Sequence, residues 1–455
     1  MKKKLVSALT CGVLSIGLVG CGSEEKTTTN STTKNEVQTE EAVKDATVIR
    51  GTGAHRLTSV PPMIPLEKGK ATLKVNVKGA DKSKEFSASV IQHLEHGGSA
   101  SSIADVSRKG NLPDSDTFDV PSPGNYDINL HSDDDFKGEW EVIIEQKVKK
   151  DKEYDKQLRL TTITQQIGGE FSSSASLSSD YKQGTERRFG MEYGYDMKNF
   201  TIANNNSISF QSIKDGNFVI TELKDGKWKQ IEKDTGKTQS EMQEIRGTYS
   251  GAQIVAKVTT TKGPAELLSH NGKYILIYEN INKEAEEVTV PKELISLFKT
   301  GLRDVYWDFD NNIIYAIVTD TMSSNARETL MYRYDLKKQT FILDEKGKKT
   351  TPIPLKQSSE RIHFANDKKG NLYLAGLPTN ATSGDLRSVS VVVFNKDMKL
   401  LAKPTPVNAI YYNYEIVGTD KGVDIWNVYN SKIVNGGKSS EPLKVGANRF
   451  SLSLE

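Results

Sequence analysis

The chain of 455 residues reads as all-β: an N-terminal β-sandwich followed by a β-propeller of five to seven blades, set behind a disordered polar tether. Three observations lead there. Helical periodicity is concentrated in PKELISLFKTGL (Pro291–Leu302), with Pro first and Gly301 near the end. Elsewhere, from about residue 47, short alternating runs lie between Gly, Asn and Asp turns. From about Phe200 a hairpin recurs at intervals near 50 residues, the period of a propeller blade.

The first 20 residues have their own logic. Lys2 to Lys4 precede an apolar run from Leu5 to Val19, which suits a secretory signal and is short for a membrane span. The run ends in Leu18-Val19-Gly20-Cys21, and the chain then turns polar. This ending resembles the lipobox of bacterial lipoproteins. The resemblance implies cleavage before Cys21, acylation of its thiol, and anchoring on the extracytoplasmic face of the cell membrane. Each buried CH₂ of such a chain contributes about 0.8 kcal/mol, so two or more chains hold firmly. Residues 22–46 are mostly Thr, Asn, Ser, Glu and Lys and bury too little to fold, so they read as the tether.

Composition narrows the rest. The chain holds 61 Lys+Arg and 59 Asp+Glu, and residues 1–20 carry three of the lysines and no acid. The mature balance near zero argues against nucleic acid as a partner. Of the two cysteines, Cys11 lies in the signal and Cys21 is the lipidation candidate. Disulfides, thiol catalysis and Cys-based zinc sites are thereby excluded, and core burial alone must hold the fold.

Residues 47–150 form the sandwich reading. In GNYDINLHS (Gly124–Ser132), Tyr126, Ile128 and Leu130 share one face. In GEWEVIIEQ (Gly138–Gln146), Trp140, Val142 and Ile144 do the same. These runs resemble the closing strands of jelly-roll modules on secreted proteins.

Residues 151–455 form the propeller reading. Turn markers at Gly216, Gly272, Asn312, Gly370 and Gly422 are spaced by 56, 40, 58 and 52 residues. They count five blades, and residues 151–200 or the tail NRFSLSLE (Asn448–Glu455) are available for more, the tail also as a ring-closing strand. DKKGNLYLAG, from Asp367, resembles the inner hairpins of six-bladed propellers of the NHL kind, in which Asp and Gly shape the turn.

No coherent catalytic set emerges. His93 and His96 stand three apart, on opposite faces if the segment is a strand, and do not spell the zinc-protease motif. His131 with Asp133 to Asp135, and Asp114 with Asp116, read as solvated acidic loops more readily than as calcium sites. Asp308 to Asn312 opens like a calcium loop but has Ile313 where Gly is required. Ser179-x-x-Lys182 with Lys299-Thr300-Gly301, and Gly236-Lys237-Thr238, are fragments of longer catalytic and phosphate motifs whose remaining parts are missing. Tyr411, Tyr412 and Tyr414 suit blade packing better than a binding face. The expectation is therefore a lipid-anchored surface protein that binds or scaffolds a protein or polysaccharide ligand, without catalytic, cofactor or metal residues. The alternatives are an envelope enzyme, a hydrolase or lyase using the propeller channel mouth, and the solute-binding lipoprotein of an importer.

Overall fold

A computed structural model describes residues 42–53, 61–92, 101–109, 114–149, 152–170, 201–202, 208–214, 217–224, 227–232, 248–278, 285–299, 304–319, 328–344, 346–356, 362–381, 388–408, 414–430 and 444–455. The signal segment, Cys21 and most of the tether lie outside these residues.

The alternating runs of the first block form β1 (Ala42–Thr52), β2 (Met63–Leu66), β3 (Gly69–Lys78), β4 (Phe86–Gln92), β5 (Ser101–Ser107), β6 (Ser115–Val120), β7 (Gly124–Ser132) and β8 (Glu139–Lys149). One sheet has the order β1-β8-β3-β6 and the facing sheet β2-β7-β4-β5, the double Greek key of a jelly roll. β1 begins inside the polar tether stretch because its backbone is paired with β8 from Ala42↔Lys149 onward. The apolar faces read from the sequence are the ones buried: Tyr126, Ile128, Leu130, Trp140, Val142 and Ile144 all lie in the core. Phe86 stacks on Trp140 at 4.9 Å between ring centroids. Gly51 faces Trp140 across the β1–β8 pair, and a Cβ there would lie 2.3 Å from the indole.

The chain then forms β9 (Leu158–Glu170) and a series of blades. The first blade is β10 (Thr201–Ile202), β11 (Ile208–Lys214), β12 (Asn217–Lys224) and β13 (Lys227–Glu232). The second is β14 (Gln253–Thr260), β15 (Gly263–His270), β16 (Lys273–Tyr278) and β17 (Ala285–Val288), followed by α1 (Lys292–Lys299). The third is β18 (Asp304–Asp308), β19 (Ile313–Thr319), β20 (Thr329–Asp335) and β21 (Thr340–Phe341). β22 (Thr350–Ile353) and β23 (Leu355–Lys356) add to the third and fourth blades. The fourth is β24 (His363–Asn366), β25 (Leu372–Pro378), β26 (Ser388–Phe394) and β27 (Thr405–Asn408). The fifth has β28 (Tyr414–Gly418), β29 (Gly422–Asn430) and β30 (Lys444–Leu454), completed by β9 in the order β28-β29-β30-β9.

The described residues thus form a five-bladed propeller. β9 and the tail both enter the fifth blade instead of making a sixth. β30 pairs with β9 from Lys444↔Glu170 to Leu454↔Leu158, so the last blade closes on the first strand of this part of the chain. The uneven marker spacing also has a cause. Asn312, Gly370 and Gly422 sit at turns between the first and second strands of their blades, whereas Gly272 joins the second and third strands of blade two. The equivalent turn of blade two is at Gly263, 49 positions before Asn312.

Turn chemistry fixes the hairpins. Asn271 and Gly272 both have positive φ, 49° and 78°, as a two-residue hairpin turn demands. Asp367 Oδ1 accepts the backbone N–H groups of Lys369 and Asn371, while Oδ2 accepts Asn371 Nδ2 and the Tyr373 hydroxyl. Asp308 plays the same part toward Asn311 and also accepts Asn366 Nδ2 from the next blade at 3.0 Å. Blades meet through apolar faces. Tyr306 stacks on Phe364 at 5.4 Å between blades three and four, and Leu294 of α1 is buried with Val305 and Trp307 between blades two and three. At Gly418 the inner strands of blades four and five come so close that a Cβ would lie 1.8 Å from the Asn366 carbonyl oxygen.

Gly418→Ala must therefore push two inner strands apart. A loss of about 2–3 kcal/mol in a denaturant titration is expected. An unchanged midpoint would show that the strands are not held at that distance.

Candidate functional site

β9 is the strand on which the rest is arranged. It pairs antiparallel with β30 and, at Val48↔Thr162 to Arg50↔Thr164, parallel with β1. The jelly-roll sheet and the last blade are consequently one eight-stranded sheet, β28-β29-β30-β9-β1-β8-β3-β6. The apolar core is likewise continuous, from Phe86 and Trp140 through Ile163 to Phe450, Tyr373 and Val407. A β-bulge at Thr161 lets Leu158, Leu160 and Ile163 all face inward, although strict alternation would not place all three there. Thr161 Oγ1 donates to the Ser451 carbonyl at 3.1 Å on that bulge.

Cross-strand partners share a face. Their register draws one row across seven strands: Glu415, Trp426, Arg449, Thr164, Arg50, Glu141 and Asn76. At its inner end Glu415 Oε2 lies 3.1 Å from His363 Nδ1, where blades four and five meet. The Tyr414 ring lies 4.3 Å from the same imidazole. In the middle the Arg449 guanidinium sits 5.3 Å over Trp426, and Arg449 Nε is 4.0 Å from Asp424 Oδ2.

At its outer end the row opens into a cavity of about 270 Å³ over the β1–β9 seam. Arg50, Thr52, Asn76 and Lys78 line it from β1 and β3; Glu139, Glu141, Thr164 and Gln165 line it from β8 and β9. Gly51 and Trp140 complete the lining. Arg50 is the cross-strand partner of Glu141, and Glu139 that of both Thr52 and Lys78. Opposite charges so placed normally pair, for about 0.2–1 kcal/mol each. Here the guanidinium donates through Nε to Thr164 Oγ1 at 3.3 Å, and among the described residues no ion pair joins it to Glu141 or Lys78 to Glu139. Gln165 is 2 % exposed, and neither atom of its amide has a hydrogen-bond partner. The lining thus offers free donors and free acceptors at fixed positions on a rigid sheet.

The residues singled out in the sequence fall elsewhere. Tyr414 is buried and donates its hydroxyl to the Ala375 carbonyl at 3.3 Å, a packing role; Tyr411 and Tyr412 lie outside the described residues. Asp133 accepts the Glu85 N–H, and Asp135 pairs with Lys84 at 2.6 Å, so this acidic loop is held by protein donors. Asp308 is a buried turn residue. Asp116 lies on the edge strand β6. His93, His96, the Ser179–Lys182 stretch, Thr300, Gly301 and residues 236–238 are outside the described residues. Among the described residues no group of three or more His, Cys, Asp or Glu side chains gathers as for a metal ion, and no helix is long and apolar enough to cross a membrane. Sequence reasoning missed Arg50, Glu141, His363 and Glu415, because each acquires its neighbour only through long-range strand register.

Neither a family model nor a curated protein matches the chain. Among solved structures, an α-L-arabinofuranosidase from Podospora anserina shares 9 % identity over 56 % of this chain and 89 % of its own, with a TM-score of 0.29. The catalytic domain of a GH62 α-L-arabinofuranosidase from Coprinopsis cinerea shares 9 % over 66 % and 97 %, at 0.28. A GH43 β-xylosidase/α-arabinofuranosidase from a compost metagenome shares 10 % over 56 % and 92 %, at 0.27. Likeness of this size transfers nothing to the chain, and the propeller assignment rests on the strand order given above.

One charged group in this sheet gives a pH test. Burial holds the Asp424 carboxyl above its ordinary value of 3.8, against the Ser451 hydrogen bond and the Arg449 charge, which lower it. A raised folded pKa means that the fold disfavours the carboxylate, so the penalty is present at neutral pH and lifts as pH falls toward 3.8. Asp424→Asn should raise the melting temperature at pH 7 by roughly 1–2 °C, with the gain shrinking toward pH 4. A variant less stable at pH 7 would mean that the attraction of Arg449 outweighs burial.

Proposed function

We propose that the chain is a lipid-anchored binding protein of the extracytoplasmic membrane surface, which holds a polar protein or polysaccharide ligand at the seam between its jelly roll and its propeller. The observation that carries this reading is the cavity over the β1–β9 seam, where Arg50, Lys78, Glu139 and Glu141 are left without ion-pair partners among the described residues. A charged row on a sheet is ordinarily self-satisfied, whereas charges left open on a rigid surface suit a ligand. The inner-strand carboxylates Asp308 and Asp367 are occupied by turn hydrogen bonds, which fits binding better than hydrolysis. The lipobox at Leu18–Cys21 supplies the anchor.

Two experiments test the reading. Labelling cells with a radioactive fatty acid should mark the wild-type chain and leave Cys21→Ala unmarked; equal labelling of both removes the anchor from the account. Thr164→Trp, which fills the cavity mouth, should lower retention on isolated envelope polymer at least tenfold without moving the melting temperature.

A second reading, an envelope hydrolase or lyase, is favoured by one observation: His363 and Glu415 meet within 3.1 Å at the starts of two inner strands. Release of product from envelope polysaccharide by wild type, lost in both His363→Gln and Glu415→Gln, would install it in place of the binding role.

A further inference from the structure

We infer that the seam cavity takes a small zwitterion, a short peptide with a free ammonium group and a free carboxylate. This rests on the binding reading above and gives its site a ligand class.

The order of charges across the sheet selects such a ligand. β8 runs between β1 and β3, so its two carboxylates, Glu139 and Glu141, are flanked by a cation on either side. The sequence of charges across the floor is Arg50, the two carboxylates, then Lys78. A ligand cation is attracted to the centre and a ligand anion to either flank. A pure anion or a pure cation meets repulsion from half of the floor, whereas a zwitterion satisfies both halves. Directly opposed residues on neighbouring strands stand about 4.5–5.5 Å apart. Both signs of charge are therefore offered side by side to the two ends of one short peptide. The Arg50 guanidinium uses only Nε within the protein and keeps its paired terminal N–H groups for a carboxylate, the geometry in which Arg binds most strongly.

Size and polarity agree. A volume of about 270 Å³ is of the size a dipeptide fills. The lining offers no open aromatic face of the kind on which sugar rings stack. The one aromatic in the lining, Trp140, is 2 % exposed, with its indole N–H on the Gly53 carbonyl at 3.1 Å.

The test is calorimetric titration of the purified full chain in detergent with three probes: alanyl-alanine, its N-acetylated and amidated form, and glucose. The expected result is binding of alanyl-alanine alone, weakened at least tenfold by Arg50→Gln and by Glu141→Gln, and weakened again in 0.5 M salt. Melting temperatures should stay within about 1 °C of wild type, since both side chains are at the surface. Equal binding of the capped dipeptide, or no binding of alanyl-alanine to the wild type, overturns the zwitterion assignment. Retention on envelope polymer separates this failure from failure of the seam reading. If Thr164→Trp lowers retention while alanyl-alanine does not bind, the seam stands and the zwitterion falls. If Thr164→Trp changes neither, both fall.

Discussion

The pairing of β9 with two partners is the constraint on which the molecule depends. Through β30 it closes the propeller; through β1 it fuses the last blade to the jelly roll. A blade's outer strand would otherwise be an edge with a row of open N–H and C=O groups, a hazard for any β protein. Here that edge is covered by the edge of another sheet. The jelly roll therefore completes the propeller and is not merely tethered to it. Further bonds reinforce the join: Asn408 Nδ2 donates to Asn125 Oδ1 at 2.8 Å and Thr47 Oγ1 to the Leu160 carbonyl at 2.9 Å, while Lys399 pairs with Asp155, in the connection between β8 and β9, at 2.6 Å. The surface ion pair adds little, but the buried-side hydrogen bonds fix the relative position of the two halves.

This fusion explains where a site can arise. The hollow lies on the joined sheet, lined by residues of β3, β8, β1 and β9. Residues beside the seam belong to strands distant in sequence, so their charges can be set independently. The hydrophobic inner face holds the geometry while the outer face carries the polar row. A rigid floor also reduces the ordering cost of binding.

Much of the fold was legible in the sequence, and the parts that were not share one cause. Period-2 patterns gave the buried faces of β7 and β8 because each alternation is local. The turn residues at Asp367, Gly370 and Asn271 gave the hairpins, since a side-chain acceptor or a positive φ is a local demand. The period near 50 gave the blades, blurred because the first two markers, Gly216 and Gly272, fall between the second and third strands of their blades and the other three between the first and second. The link between β1 and β9 left no trace, because three parallel pairs across more than 100 residues impose no pattern on either strand. The bulge at Thr161 hid β9 further by breaking its alternation. The site followed the same rule. Arg50 and Glu141 are ordinary surface charges in the sequence and become a pair only through register, while the residues that looked chemical, Asp308 among them, turned out to shape turns.

The central claim is that jelly roll and propeller are one cooperative body held by β9. Equilibrium unfolding in denaturant tests it most directly, using two variants that each retain a single tryptophan, Trp140 in the jelly roll or Trp307 in blade three. One transition is expected, with the same midpoint and slope from both probes. Two separated midpoints, with Trp140 and Trp307 reporting independent unfolding, would contradict it.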